Sequence, residues 1–416
     1  RLAENTFLGS GAGANVTTAT GSTAIGYKAL GVYTCTGINN TVVGYKSGQY
    51  INTGANNTIL GSSSGGVLEG SGNVAIGQYT LAAPRREDSE TVAVGNGAVT
   101  YGGYRMVAVG HNALSGDYTY MTTAASQAHT GSIAIGYNAG SRTTGSYNTF
   151  VGYEAGRGTS AASGENNVAI GKNALKVFTS AYSMVAIGKG AGQALTSGKQ
   201  SVFVGQAAGY AVTTGITNVF IGHDAGDGVQ TGNSNICIGY NTETSANNST
   251  DQIVIGTSIT GGENDQFTFG KASNVVQNEF DTDAAWTRTS DVRKKRNIKD
   301  DKLGLVFINK LKPITHQWKP SNEFPKEWDE YSEENNMNLD ATMHGLIAQD
   351  VKQALDDVGV DTFSGWKERK DGSQTVSREM FITPLIKSVQ ELSKKVQTLQ
   401  EENIELKTLI KEKLGD

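Results

Sequence analysis

Four groups of residues in this 416-residue chain have types and spacings that could do chemistry. Around Ser290-Asp291-Val292-Arg293-Lys294-Lys295-Arg296-Asn297-Ile298, together with Arg288, five basic residues crowd a short stretch. Charge alone makes that a solvated patch or a contact for nucleic-acid phosphates. A second group is the aromatic pair Tyr118 and Tyr120, in a segment running from Asp117 to His129. Aromatic rings in a loop can stack on sugars and contact a receptor; a loop tucked against its own scaffold is the simpler reading. Third, strings such as Gly9-Ser10-Gly11-Ala12-Gly13 look like nucleotide loops. A phosphate cradle needs a helix start behind it, and none is present there, so these glycines read as turns. Fourth, Asp224 and Asp227 could ligate Ca²⁺, but the nonapeptide calcium pattern is absent and solvated turns fit better. No metal site and no cofactor is expected.

The elements that must hold these groups differ sharply along the chain. Residues 1–286 carry 13 Lys and Arg against 17 Asp and Glu, while the last 130 residues carry 22 against 23. Of 53 glycines, 47 precede residue 287. Such a contrast implies two unlike modules. No run of 18 apolar residues exists, so no membrane-spanning helix is expected. No basic-then-apolar leader is visible, and a start at Arg1 reads as a fragment or processed product. Two cysteines, Cys35 and Cys237, cannot build a disulfide framework. Near-balanced charge leaves no electrostatic footprint for nucleic acid.

The first module repeats. Ala24-Ile25-Gly26, Val42-Val43-Gly44, Phe203-Val204-Gly205, Phe220-Ile221-Gly222 and eleven further copies place a short apolar run before a glycine. The series starts at Phe7-Leu8-Gly9, and its dominant spacing is 17 residues. β-branched and aromatic residues favour extended strands, and glycine permits an angle or an approach that a side chain would block. About two short strands and two turns fit each unit at strand rise. One unit cannot bury its apolar side, but a stack can. The Ile, Val or Phe before each glycine is expected to be a core rung, and Cys237 a small buried one. The period breaks at Pro84-Arg85-Arg86-Glu87-Asp88, a charged turn, and between Gly110 and Gly136, where the 117–129 insert sits.

At the other end, apolar residues at 385, 389, 392, 396, 399, 406 and 410 alternate by four and three, with Asn403 filling the gap. That is a heptad seam requiring a partner chain, and Asn403 would set its register. Its β-branched and Leu positions favour two strands in a parallel coil. Residues 321–340 read as an exposed acidic loop.

Two resemblances add to this reading. Residues 1–260 resemble the head repeats of trimeric autotransporter adhesins and glycine-rich phage fibre shafts, which implies three chains around one axis. The segment from Ser290 to Ile298 resembles the signature Ser-Asp-x-Arg-x-Lys-x-Asn-Ile of the endosialidase-type intramolecular chaperone, a C-terminal domain of phage tail fibres and tailspikes. All six fixed positions match, although Lys294 stands where an apolar residue is usual. Gly345-Leu346-Ile347-Ala348-Gln349-Asp350-Val351 and the helix from Phe381 onward resemble two further parts of it. This resemblance implies that Ser290 is the nucleophile and Lys295 the base of a dyad cutting the Thr289–Ser290 bond once per chain. Asp291, Arg293 and His344 would support it. A serine hydroxyl needs a base, and lysine serves only when neutral, which burial or neighbouring cations favour.

The expected architecture is mainly β. A 17-residue-repeat β-solenoid or β-roll shaft in a homotrimer (1–270) and a connector (271–289) precede an α+β chaperone domain (290–380) and a coiled-coil helix (381–416). The expected function is a tail fibre or tailspike fragment in the virion, made in the host cytoplasm and extracellular in the particle. It would attach to a bacterial surface glycan or protein receptor, with no nucleic acid and no membrane span, and its one enzymatic act would be autoproteolysis. The main alternative is a bacterial trimeric surface adhesin with a permanent, non-cleaving trimerisation cap. A polysaccharide-cleaving spike would need paired carboxylates across a groove, and acids in the shaft are sparse.

Overall fold

The computed structural model describes residues 4–66, 69–82, 89–100, 103–116, 130–159, 162–280, 290–328, 330–335 and 337–415. It divides into two compact units, residues 1–289 and 290–416.

The first unit is a β-solenoid of about 14 turns. Each turn contributes one three-residue strand, and successive strands pair in parallel at the repeat spacing, as in Val202↔Val219 and Val219↔Ile236. The stack runs from Thr6–Leu8 to Gln266–Lys271 and is closed by an antiparallel strand, Asn274–Glu279, inside the span read as connector. The second strand expected in each unit is reduced to isolated bridges such as Tyr182↔Lys199 and Lys199↔Ile216, and near the end of the stack to the two-residue pairing of Thr242–Glu243 with Ile259–Thr260. The segment after the glycine is instead a turn, with Asn138 and Gly140 in left-handed conformation. Half of each repeat is therefore turn geometry, which glycine and asparagine accept at low cost.

The strand interior corrects the rung assignment. Only the middle residue points into the coil: Ala186, Phe203, Phe220 and Cys237 are fully buried, as Cys237 was expected to be. The residue directly before the glycine faces outward, Ile221 at 38% exposed and Ile135 at 41%. Side chains alternate along a strand, so a three-residue strand sends one residue in and two out. From Thr6 and Leu8 to Phe267 and Phe269, no charged residue occupies either outward position. The result is a continuous apolar face on one side of the shaft.

Asparagine fills the position before many strands, and its amides run as a buried ladder. Asn235 Nδ2 donates to Asn218 Oδ1 at 3.2 Å while the Asn235 backbone N–H donates to the same oxygen at 2.9 Å. Asn57 bonds to Asn40, and Asn73 to Asn57, in the same way. Each buried amide is satisfied by the turn below, which avoids the cost of an unpaired polar group. The glycine after the strand answers a second demand. Gly205 has φ +140°, and a Cβ there would lie 2.2 Å from the Gly222 carbonyl oxygen.

Near the end of the stack, Glu243 hydrogen-bonds the Asp227 side chain, and Glu243 Oε1 also accepts the Gly228 N–H at 2.9 Å. Burial, then the hydrogen bond with Asp227, push the Glu243 carboxyl from its ordinary 4.5 up to about 8. The folded state therefore holds this proton more tightly than the unfolded chain does. The associated stability is fully present below pH 4.5 and is lost as pH rises through about 8. Thermal unfolding from pH 5 to about pH 9 is expected to show this fall in wild type and a flatter profile in Glu243→Gln, which keeps a neutral side chain. Parallel profiles would refute the assignment. Asp224, the other acid weighed as a cation ligand, is bonded to His223 Nδ1 at 2.8 Å. Among the described residues, no three His, Cys, Asp or Glu groups converge as a metal site.

The second unit packs a short helix α1 (Leu305–Ile308), helix α2 (Ala348–Asp357) and the base of a long helix α3 (Ile382–Leu414). Leu303, Phe307, Val351, Leu355 and Phe381 form its core. Two hairpins, Ile314–His316 with Met343–Gly345 and Trp366–Glu368 with Gln374–Val376, complete it. The Leu305 N–H donates to Glu391 Oε2 at 2.8 Å, tying α1 to α3. The apolar seam of this helix lies outside that core: Leu385, Val389, Leu392, Val396, Leu399, Leu406 and Ile410 are all exposed, Val389 at 64%. The acidic 321–340 segment is less free than its charges imply. Ser321 is fully buried, held by Asn335 and by the Glu334 carbonyl, and Glu330 pairs with Arg369. Asp329 lies outside the described residues.

Candidate active site

Ser290 opens the second unit, and the five residues after it turn the chain back on itself. Val292–Lys294 form one turn of 3-10 helix, closed by Lys294 N–H to Asp291 C=O at 3.1 Å and Lys295 N–H to Val292 C=O at 3.0 Å. Asp291 and Lys295 flank it in extended conformation. A tight turn between two extended residues returns the sixth residue to the first. Lys295 Nζ lies 2.6 Å from Ser290 Oγ.

The turn is pinned by Asp291. Its Oδ1 accepts the Arg293 backbone N–H at 2.8 Å, the helix-capping role of a short acid. The same carboxylate receives Arg293 Nε at 3.0 Å and Nη2 at 2.6 Å. The Arg293 guanidinium and backbone N–H hold the Asp291 carboxyl below the usual carboxylate range, and Asp291 in turn raises Arg293. Arg293 is thus occupied as a strut for the turn. It is not aimed at the serine.

The sequence expectations separate here. Ser290 and Lys295 are brought together, and Asp291 and Arg293 pair beside them. His344 lies exposed on the strand Met343–Gly345, opposite Thr315. Among the described residues, no hydrogen bond joins it to Ser290 or Lys295. Thr289, Tyr118 and Tyr120 lie outside the described residues. In the single chain Ser290 and Lys295 are both exposed, so the desolvation that favours a neutral lysine is not supplied within one subunit.

Residues 290–360 match the family model described as chaperone of endosialidase. The match takes in the serine–lysine pair and α2. A β-solenoid shaft followed by this chaperone domain fits a tail fibre with a C-terminal chaperone. No curated protein and no solved structure matches the chain. None of the described helices is long and apolar enough to cross a membrane.

The second unit also carries a groove that sequence reasoning missed. About 810 Å³ in volume, it is lined by Trp318, Phe324, Trp328, His316, Arg369 and Arg378, among others. These residues are dispersed over sixty positions without a period, so no local signal marks them. His316 Nδ1 is buried there without a hydrogen-bond partner among the described residues.

Proposed function

We propose that the chain is a tail fibre or tailspike fragment for host-surface attachment. Its C-terminal domain directs trimerisation and folding and then cuts itself off at Thr289–Ser290. The contact that carries this reading is the 2.6 Å approach of Lys295 Nζ to Ser290 Oγ within the matched domain. A neutral Lys295 takes the hydroxyl proton as Ser290 Oγ attacks the Thr289 carbonyl carbon. The C–N bond breaks, the proton passes to the leaving nitrogen, and residue 290 acquires a free amino group. Water then opens the ester and leaves Thr289 with a carboxylate.

Two unpartnered apolar surfaces support a homotrimer: the outward face of the shaft and the exposed seam of α3. A shaft with parallel pairing between distant residues is slow to assemble and exposed to aggregation meanwhile. A terminal module that gathers three chains first raises their local concentration and sets register. Residues 1–289 produced alone are therefore expected in aggregates or monomers, whereas the full chain gives folded trimers by light scattering. Equal yields of folded trimer from both would remove the chaperone role.

One observation favours a second reading, a permanent trimerisation cap. Both members of the pair are exposed in the single chain, so cleavage depends on burial that assembly must supply.

A further inference from the structure

We propose that the shaft binds a carboxylate-bearing saccharide in a polar concavity at Arg142 and Arg157. The concavity, of about 240 Å³, is lined by Asn112, Ser115, Asn138, Ser141, Arg142 and Arg157. Corresponding positions of successive coils build it. Asn112 and Asn138 each lie two residues after the strand glycine, and Ser115, Ser141 and Arg157 lie five after theirs. Coil stacking thus sets amides, hydroxyls and guanidinium groups side by side, which is what a ring with several hydroxyls and one acid requires.

Charge selects the class of ligand. Glu154, only 8% exposed, is saturated: Arg157 Nη1 reaches Oε1 at 3.2 Å and Lys176 Nζ reaches Oε2 at 2.8 Å. Burial would raise the Glu154 carboxyl, but Lys176 and Arg157 outweigh it and hold it low. Arg142 is exposed and has no ion pair or side-chain hydrogen bond among the described residues. One carboxylate against three cations leaves net positive charge in a module with few charges. A planar guanidinium takes a carboxylate through two parallel hydrogen bonds. A stacked ladder, His111–Tyr137–Tyr153, with ring centroids 5.2 Å apart, begins one residue before Asn112 in the same register. A bare phosphate could also take the arginines, and therefore serves as a comparator for the sugar ring.

The proposal rests on the host-attachment reading; its binding test uses purified protein, and a separate adhesion assay on host cells tests the attachment reading. A glucuronate-containing disaccharide is titrated by isothermal calorimetry, beside the same sugar with its carboxyl reduced to the alcohol, and beside inorganic phosphate. Saturable binding of the acidic sugar is expected, at least about tenfold tighter than either comparator. Arg142→Met is expected to weaken it by about tenfold or more, because the residue is exposed and the Glu154 pairs stay intact. Arg105→Met, which removes an exposed pair with Glu90, should leave binding unchanged. No saturation below about 10 mM, equal binding of the reduced sugar or of phosphate, or an unaffected Arg142→Met would each overturn the site. Continued adhesion of Arg142→Met trimers to host cells alongside such a failure would leave the attachment reading standing.

Discussion

Ser290→Ala is expected to yield one uncut chain, where the wild type yields two fragments meeting at Thr289 and Ser290, read by intact mass. The alanine removes only the attacking oxygen. Ser290 is exposed and, among the described residues, its Oγ bonds to Lys295 alone, so the fold should persist. Losing a nucleophile of this kind slows acyl transfer by about a thousandfold or more, which over a preparation reads as no cleavage. Lys295→Arg sharpens the result. Arginine can keep a hydrogen bond to the serine but does not deprotonate in proteins, so this variant should also remain uncut. Cleavage surviving in Lys295→Arg would remove the lysine from the role of base. If the wild type itself stays whole, in trimers of full length, the permanent cap is the correct reading. Lys294→Leu then becomes the first variant to try for restored cleavage. Asp291→Asn should leave a slower cut, because the amide can still cap the turn but no longer holds Arg293 as an ion pair.

A charge on the apolar face is expected to have an effect as large on assembly. In Ile221→Lys combined with Ile187→Lys, the shaft coils keep their interiors, since Phe220 and Ala186 supply the buried rungs. The outward positions lie on the continuous apolar stripe. Ile221 and Ile187 are already about two-thirds buried within the chain, at 38% and 36% exposed, so covering the remainder between subunits contributes about 0.5–1 kcal/mol each, and the effect repeats at every coil. A lysine there must be desolvated without a partner, which costs several times more. Light scattering after cleavage should show the doubly substituted shaft as monomers or aggregates. Gln230→Lys, at an exposed turn position, should remain trimeric. An unchanged trimer in the double variant would mean that the stripe faces solvent and that another surface holds the chains together.

Much of this molecule was legible in one dimension. The 17-residue period and its glycines marked a stacked β architecture, because a unit that short can bury nothing alone. The spacing of Leu385 through Ile410 marked a helix with an apolar seam, and the segment from Ser290 to Ile298 marked the pair that the turn brings together. The period and the seam repeat, so composition and spacing carry them; the Ser290–Lys295 pair came from a resemblance to a known signature, because charge alone reads that stretch as a solvated patch.

Three-dimensional closure decided the rest. Phe220 and Ile221 are both apolar and adjacent, and nothing in their types says that the first is enclosed and the second faces out. The curvature of the coil decides that, by admitting only the middle residue of each strand. The Asn218–Asn235 ladder exists because turns seventeen residues apart lie one above the other. His344 is set opposite Thr315 by the pairing of two strands far apart in the chain. Arg142 and Arg157 stand fifteen residues apart in the chain and line one concavity only because their coils stack. By itself the sequence determined the kinds of element and the chemical groups available. Which groups face one another, and which face outward, depended on contacts between residues far apart in the chain, and those exist only once the coils have closed.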